Sequence, residues 1–340
     1  MLATRRRDIA AIAYGFMASK ALFAALEIGL FSLLADGPRT SAALAAETGV
    51  APNRLGTLLR ALVALGLLTR DEEGFRNAPA AQRHLVRGAR ADIGEYYRLQ
   101  VGRQIYPALI HLDAGIAGRG VAFAGFDELM ASPDEAATFT VGQHCASLEL
   151  ARKLVDQLPL ADARTLLDVG AGSGAFAIAF CERHPALRAT LVDFPQTLDV
   201  ARAYRDAAGL ADRIALIPGN AASADWPAGQ DVVLMSYLLS ALTADEADAA
   251  LAAAHRSLRP GGLLVVHDFM LDDDEPGPTA AALWFLQYLA WRPDAWSFTG
   301  AELGDRMAEA GFLPTPEEQV VPETTKLVLA RKLAPKGEGR

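Results

Sequence analysis

The sequence predicts an α/β fold: a mostly parallel, doubly wound sheet in the second half of the chain, preceded by an all-helical region that closes in a winged-helix pattern. Three observations carry this. From about residue 159 onward, short apolar runs alternate with helical stretches. The first of those runs, Leu166-Leu167-Asp168-Val169, leads into Gly170-Ala171-Gly172-Ser173-Gly174, which reads as a buried strand, a tight turn and a helix start. Before residue 90, apolar residues recur at three and four, and a short hairpin pattern follows them.

At 340 residues, 51% of them hydrophobic, the chain is long enough for about two domains. Its formal charge of −9 argues against nucleic acid as the main partner, because neutralising phosphates requires a basic face. Cys145 and Cys181 stand far apart without CxxC spacing, so neither a disulfide framework nor a metal site is indicated, and a reduced cytoplasm is the natural home. Met1 to Asp8 is basic but lacks the apolar core of a signal peptide, and the apolar runs look too short to span a bilayer, so no membrane association is expected.

Taken in order, Ile9 to Leu34 is helical, with Ile12, Phe16, Leu22, Leu26, Leu30 and Phe31 at three and four. This stretch is apolar around much of its circumference, which predicts burial against a second copy of the chain, a homodimer. Gly37-Pro38 breaks it. Ser41 to Gly49 is a short helix ended by glycine, Pro52 opens another through about Leu65, and Gly66 to Arg76 is a hairpin wing. As a DNA reader this element is poorly equipped: Arg54 and Arg60 stand amid apolar residues, and the wing tip Asp71-Glu72-Glu73 is acidic.

Pro79 to Arg119 reads as one or two helices with polar aromatics. Phe123 to Leu129 is a loop or short helix, and Ser132-Pro133-Asp134-Glu135 starts a helix that runs through His144 to about Leu158. Beyond it, strands are expected near 165–169, 187–193, 213–217, 231–237 and 262–268, with helices near 174–184, 196–209, 244–258 and 299–311. A last strand covers Thr324 to Arg331. The expected organisation is therefore a dimerisation region over 1–90, linking helices over 91–158 that contribute to a substrate pocket, a ligand-binding domain over 159–334, and a disordered tail over 335–340.

The glycine turn is where a ligand should sit. Its spacing alone is weak, because Gly170, Gly172 and Ala175 also satisfy a dinucleotide fingerprint. The acid discriminates: Asp168 at the strand end would repel a pyrophosphate and attract a cationic sulfonium, which favours S-adenosylmethionine over NAD. Asp193 closes the next apolar run, placed to accept hydrogen bonds from ribose hydroxyls in either cofactor.

The chain resembles the S-adenosylmethionine-dependent small-molecule methyltransferases of the plant and bacterial O-methyltransferase family, which carry a winged-helix dimerisation domain in front of a Rossmann-like domain. The resemblance runs from about Ala13 to Lys332 and rests on Leu167 to Gly174, Val192-Asp193-Phe194-Pro195, and Pro260-Gly261-Gly262-Leu263-Leu264-Val265-Val266-His267-Asp268. It implies that Gly170, Gly172 and Gly174 line the methionine side of the cofactor, and that Asp193, with Phe194 beside it, holds the ribose. Asn220 and Ala221 stand where relatives read the adenine edge with Gly-Asp, and Ser236 and Tyr237 fall near the cofactor tail.

One departure bears on mechanism. Plant-type members carry Leu-His-Asp-Trp with the His as general base, and this chain reads Leu239-Ser240-Ala241-Leu242. A serine is no base at neutral pH without an activator. Three explanations compete: a base from elsewhere, with His144, His267 and Asp268 as candidates; proximity alone; or an acceptor that needs no deprotonation, such as an amine, an electron-rich carbon or the thioether of a methylthio-hydroxy acid. For the small-molecule substrate, Tyr106, His144, Ser240, Trp284, Tyr288 and Arg292 are the expected pocket walls, with Arg292 able to clamp a carboxylate. A SAM-binding relative that no longer transfers methyl, a winged-helix regulator and a dehydrogenase are the competing classes.

Overall fold

The computed structural model describes residues 3–121, 125–221, 223, 225–274 and 277–333. The chain divides into two compact units after Gln104. The expected tail over 335–340 and the start of the 123–129 segment lie outside the described residues.

In the first unit, α1 (Arg6–Glu27) and α2 (Leu30–Leu33) occupy the stretch expected as one helical run. They separate at Gly29, whose φ of 69° is left-handed and costs a residue without Cβ little. Next come α3 (Ser41–Thr48), capped by the Thr40 hydroxyl on Ala43 N–H and ended at Gly49, and α4 (Pro52–Ala64), with its proline at the first turn. The wing is β1 (Leu68–Arg70) against β2 (Phe75–Asn77), antiparallel. Its turn is tied by Asp71 Oδ1, which accepts from Glu73 N–H at 2.9 Å and Gly74 N–H at 3.1 Å. Then α5 (Pro79–His84) follows. Leu26, Leu30, Phe31, Leu44, Leu55, Leu59 and Leu62 from the helices, with Phe75 from β2, form the core of this unit.

Two expectations need correction here. The 79–119 stretch is not one or two ordinary helices: after α5 it runs through a π-helical segment, Tyr96–Ile105, that spans the division between the units, and then through short turns. And α1 is long and apolar enough, by length and composition, to cross a membrane, since only Lys20 interrupts its apolar stretch after Asp8. Ile9, Ile12, Tyr14, Phe16 and Met17 stand exposed along it.

The second unit starts with α6 (Tyr106–Ala108), α7 (Leu112–Ile116), α8 (Phe126–Ala131) and the long α9 (Pro133–Leu154), whose start is capped by Ser132. The sheet follows with β3 (Thr165–Val169), α10 (Ala175–Arg183), β4 (Arg188–Asp193), α11 (Pro195–Ala207), β5 (Ile214–Pro218), β6 (Gln230–Ser236), α12 (Ala244–Ser257) and β7 (Leu258–Phe269). It ends with α13 (Thr279–Tyr288), α14 (Gly300–Glu309), β8 (Phe312–Pro314), β9 (Glu318–Val321) and β10 (Thr325–Lys332). Strand order is β5-β4-β3-β6-β7-β10-β8, with β9 also on β10. The first five strands are parallel, and β10 runs antiparallel to β7, β8 and β9.

Strand alternation builds two cores. Leu167, Val169, Val233, Met235, Leu264 and Val266 face one cluster with α12 and α14; Leu166, Val232, Leu234, Leu263 and Val265 face the other with α9 and α10. Parallel strands covered on both faces need this near-continuous apolar run, which is why they were legible. Phe180 of α10 is fully enclosed in the second cluster. Phe180→Ala should cost about 3–5 kcal/mol, read as a lowered urea midpoint at constant slope; a loss under 1 kcal/mol would mean that the site collapses or is not packed as described.

Candidate functional site

Strand order reverses around β3: β4 and β5 lie to one side, β6 and β7 to the other. Connections leave in opposite directions there and open a crevice beyond the carboxyl ends of the strands. A cavity of about 1010 Å³, counted out to its open mouth, occupies that place. It lies wholly within the second unit.

Its floor is the turn after β3. Gly170 and Gly172 have φ of 68° and 54°, and a Cβ on Gly170 would come within 2.9 Å of Leu238 Cδ1. The first three amides of this turn are committed inward: Gly170 N–H and Ala171 N–H both donate to Val192 O, at 2.9 and 3.3 Å. Gly172 N–H donates to Asp193 Oδ2 at 2.7 Å. A phosphate cradle needs such amides free to face the ligand, so this turn is shaped for a ligand that approaches it without phosphate.

Two buried carboxylates flank the floor. Burial pushes Asp168 up to about 7, the Ala177 amide opposing and the Asp193 charge adding to the rise. Its Oδ2 is buried with no hydrogen-bond partner among the described residues, on a side chain that lines the cavity. Burial likewise raises Asp193 to about 6, opposed by the amides of Gly172 and Phe194 and by the Thr197 hydroxyl. Phe194 N–H donates to its Oδ1 at 2.7 Å.

The rest of the wall comes from loops and helices. Asn220 Nδ2 donates to Asp127 Oδ1 of α8 at 3.1 Å, and both residues line the cavity. Tyr237, just past β6, holds a positive φ of 57°, a strained backbone for a residue with a Cβ. Its N–H donates to His267 O at 2.8 Å, which keeps it there. On α9, Phe139, Gln143 and Ser147 fall four apart and so share a face toward the cavity. Glu246 completes the capping box of α12 with Thr243 and forms an ion pair with Arg292. Burial opposes it, but the Thr243 amide and the Arg292 guanidinium hold Glu246 below the usual carboxylate range.

The expected residues distribute unevenly over this geometry. Asp168, Gly170, Gly172, Asp193, Phe194, Asn220, Ala221, Ser236, Tyr237 and Arg292 all line the cavity, whereas Gly174 lies just beneath it, its φ of 74° opening α10. The expectation that His144, His267 or Asp268 faces an acceptor is not what the geometry gives. His267 is fully enclosed, Nδ1 on Ser236 Oγ at 3.0 Å and Nε2 on Thr325 Oγ1 at 2.9 Å, and burial pushes its pKa down to about 3. Asp268 is equally enclosed and accepts Ser240 N–H at 3.0 Å and Phe269 N–H at 2.8 Å, so it ties down the Leu239–Ala241 turn. His144 faces Tyr204 and Ser173 rather than the cavity.

Of the expected substrate residues only Arg292 reaches it. Ser240 and Tyr288 are buried behind the wall, Trp284 stacks on Phe269 with centroids 4.3 Å apart, and Tyr106 sits half-buried in α6. Sequence reasoning missed Phe126, Asp127, Met130, Phe139, Gln143, Ser147 and Glu246. The four-residue spacing on α9 and the Thr243–Glu246 capping pattern were signals available for some of these; the inward direction of α8 was not.

Comparison with known proteins matches residues 115–313 to the O-methyltransferase domain model and residues 10–87 to the O-methyltransferase dimerisation domain model. Among curated relatives, the tetracenomycin polyketide synthesis 8-O-methyl transferase of Streptomyces glaucescens is 29% identical, over 90% of this chain and 91% of its own. The L-tyrosine C(3)-methyltransferase of Streptomyces lavendulae is 28% identical over 90% of this chain and 86% of its own. Among solved structures, human N-acetylserotonin methyltransferase in complex with SAM superposes with a TM-score of 0.86 at 23% identity, over 98% of this chain and 100% of the other, a likeness of fold.

The raised acid at residue 168 has a consequence for stability. An acid whose pKa folding raises contributes fully below its unfolded value of 3.8, and that contribution is lost as pH rises through the folded value of about 7. In ligand-free protein, Asp168→Asn should therefore raise the thermal midpoint at pH 8 and leave it near wild type below pH 4. Equal shifts at both ends would assign the effect to something other than the carboxylate charge.

Proposed function

Since the chain belongs to the O-methyltransferase family, whose enzymes transfer methyl groups from S-adenosylmethionine to small molecules, we propose that its cavity holds this donor over Gly170–Ser173 and methylates an aromatic or enolic hydroxyl lying between the donor and α8–α9. The observation that carries the reading is the pairing, on one cavity floor, of an inward-bonded glycine turn with the partnerless Oδ2 of Asp168. A turn whose Gly170, Ala171 and Gly172 amides are already bonded is poorly suited to pyrophosphate, and an unpartnered buried carboxylate oxygen suits a cationic ligand. When bound, S-adenosylmethionine supplies an electrophilic methyl on a sulfonium.

What the chain's own residues do follows from their placement. Asp193 retains lone pairs beyond its bonds to Gly172 and Phe194 and can accept two ribose hydroxyls. Asn220, held by Asp127, sits within reach of an adenine edge. Phe126, Met130, Phe139 and Leu242 offer an apolar, partly aromatic wall for a flat acceptor and keep water from the transfer line. No histidine among the described residues lines the cavity. Alignment therefore does most of the work, and the acceptor best suited to it is a hydroxyl acidic enough to ionise on its own. The dimerisation domain match over 10–87, which covers the exposed apolar face of α1, supports a homodimer.

Incubation with methyl-deuterated S-adenosylmethionine and a panel of phenols, aromatic amines and thioethers should yield a phenol product heavier by one labelled methyl. Transfer to the thioether alone would replace the oxygen acceptor, and transfer to none would remove the activity. Asp193→Ala should weaken donor binding at least tenfold, about 1.4 kcal/mol, through loss of charge-assisted hydrogen bonds; unchanged affinity by calorimetry would remove the donor placement.

A further inference from the structure

Helix α9 touches the donor region in two ways. One face lines the cavity, and His144, one residue beyond Gln143, points instead to the glycine turn and to α11. Its ring lies parallel to Tyr204, with centroids 3.5 Å apart and planes within 8°. Its Nδ1 is 2.8 Å from Ser173 Oγ. Ser173 is the one side chain longer than methyl between Gly170 and Gly174, and it is 3% exposed.

This geometry answers a mechanical need. Gly172 and Gly174 both sit at positive φ, 54° and 74°, on either side of Ser173. Glycines lose the most conformational freedom on ordering, so a turn built of them drifts unless it is tied. Asp193 ties Gly172 from β4. His144 ties Ser173 from α9, and α11 backs the ring through Tyr204. Burial, with a smaller contribution from Arg152, pushes the imidazole down to about 4, so at neutral pH the ring is uncharged and the contact is a neutral hydrogen bond plus a stack.

We propose that His144 is a positioning residue: through Ser173 Oγ and its stack on Tyr204 it holds the glycine turn in the conformation that receives the methyl donor. This rests on the donor reading above. It also gives the histidine of α9 a role other than base.

Three variants of the full chain test it. His144→Phe keeps a flat ring on Tyr204 and removes the nitrogen; Ser173→Ala removes the same bond from the other side; the third combines both. Each single change should raise the calorimetric Kd for S-adenosylhomocysteine by about three- to tenfold. The double should do no worse than the larger single, because both remove one bond. In turnover the loss should fall on KM for the donor rather than on kcat. In donor-free protein, amides of the 170–176 segment should exchange with deuterium faster in every variant than in wild type.

An unchanged Kd and exchange rate in Ser173→Ala would overturn the proposal. So would multiplying effects in the double, or a collapse of kcat at saturating donor with Kd intact, which would make His144 act on the acceptor. Failure of wild type to bind the donor at all would instead sink the donor reading, and the exchange comparison would still decide whether His144 holds the turn.

Discussion

One hydrogen bond sets the geometry on which the rest depends: the Asp193 carboxylate, at the end of β4, accepts the Gly172 amide of the turn after β3 at 2.7 Å. It joins the ends of β3 and β4, beside the place where the strand order reverses between β3 and β6. By binding that amide inward, it also decides what the turn can hold. A turn whose N–H groups point at the ligand selects phosphate; one whose N–H groups are bonded to a strand and a carboxylate presents Cα–H surface and nearby acids instead. The same carboxylate remains available on its outer lone pairs, so one side chain shapes the floor and faces the ligand.

Holding those acids out of water has a cost. Asp168 and Asp193 are both nearly enclosed, and burial raises both pKa values against the pull of surrounding amides. Buried charge without full compensation destabilises a fold. The sheet tolerates it because its two apolar clusters are built from nearly every central-strand residue. Site strain at Tyr237 is supported the same way, by a bond from its amide to the neighbouring strand β7.

The histidines illustrate how residue type misleads when position is unknown. An imidazole near a methyl-transfer site suggests a base, and three titratable groups were candidates for that role. Enclosure changes each of them. His267 bridges Ser236 and Thr325 inside the sheet, Asp268 caps a turn, and His144 stacks and bonds along the side of the glycine loop. Burial pushes both histidines well below neutrality, and an uncharged ring bonded on a nitrogen is a better strut than a proton acceptor.

The sequence carries the class of fold, the places of the five parallel strands, the helix start at Ser132 and the glycine turn with its two acids, because each is written in local pattern: unbroken apolar runs, a capping residue and glycines at fixed spacing. It determined less where tertiary contacts override local preference. Phe312–Pro314 and Glu318–Val321 are only three and four residues long, and they are strands because β10 offers them its edge. The Tyr96–Ile105 segment winds as a π-helix that no periodicity announced. Above all, the inner wall of the cavity was a matter of direction: α8 and α9 aim Phe126, Phe139 and Gln143 inward while α13 turns Tyr288 behind the wall. Which of two amphipathic faces meets a ligand depends on how helices rotate when they pack, and only the folded chain settles that rotation.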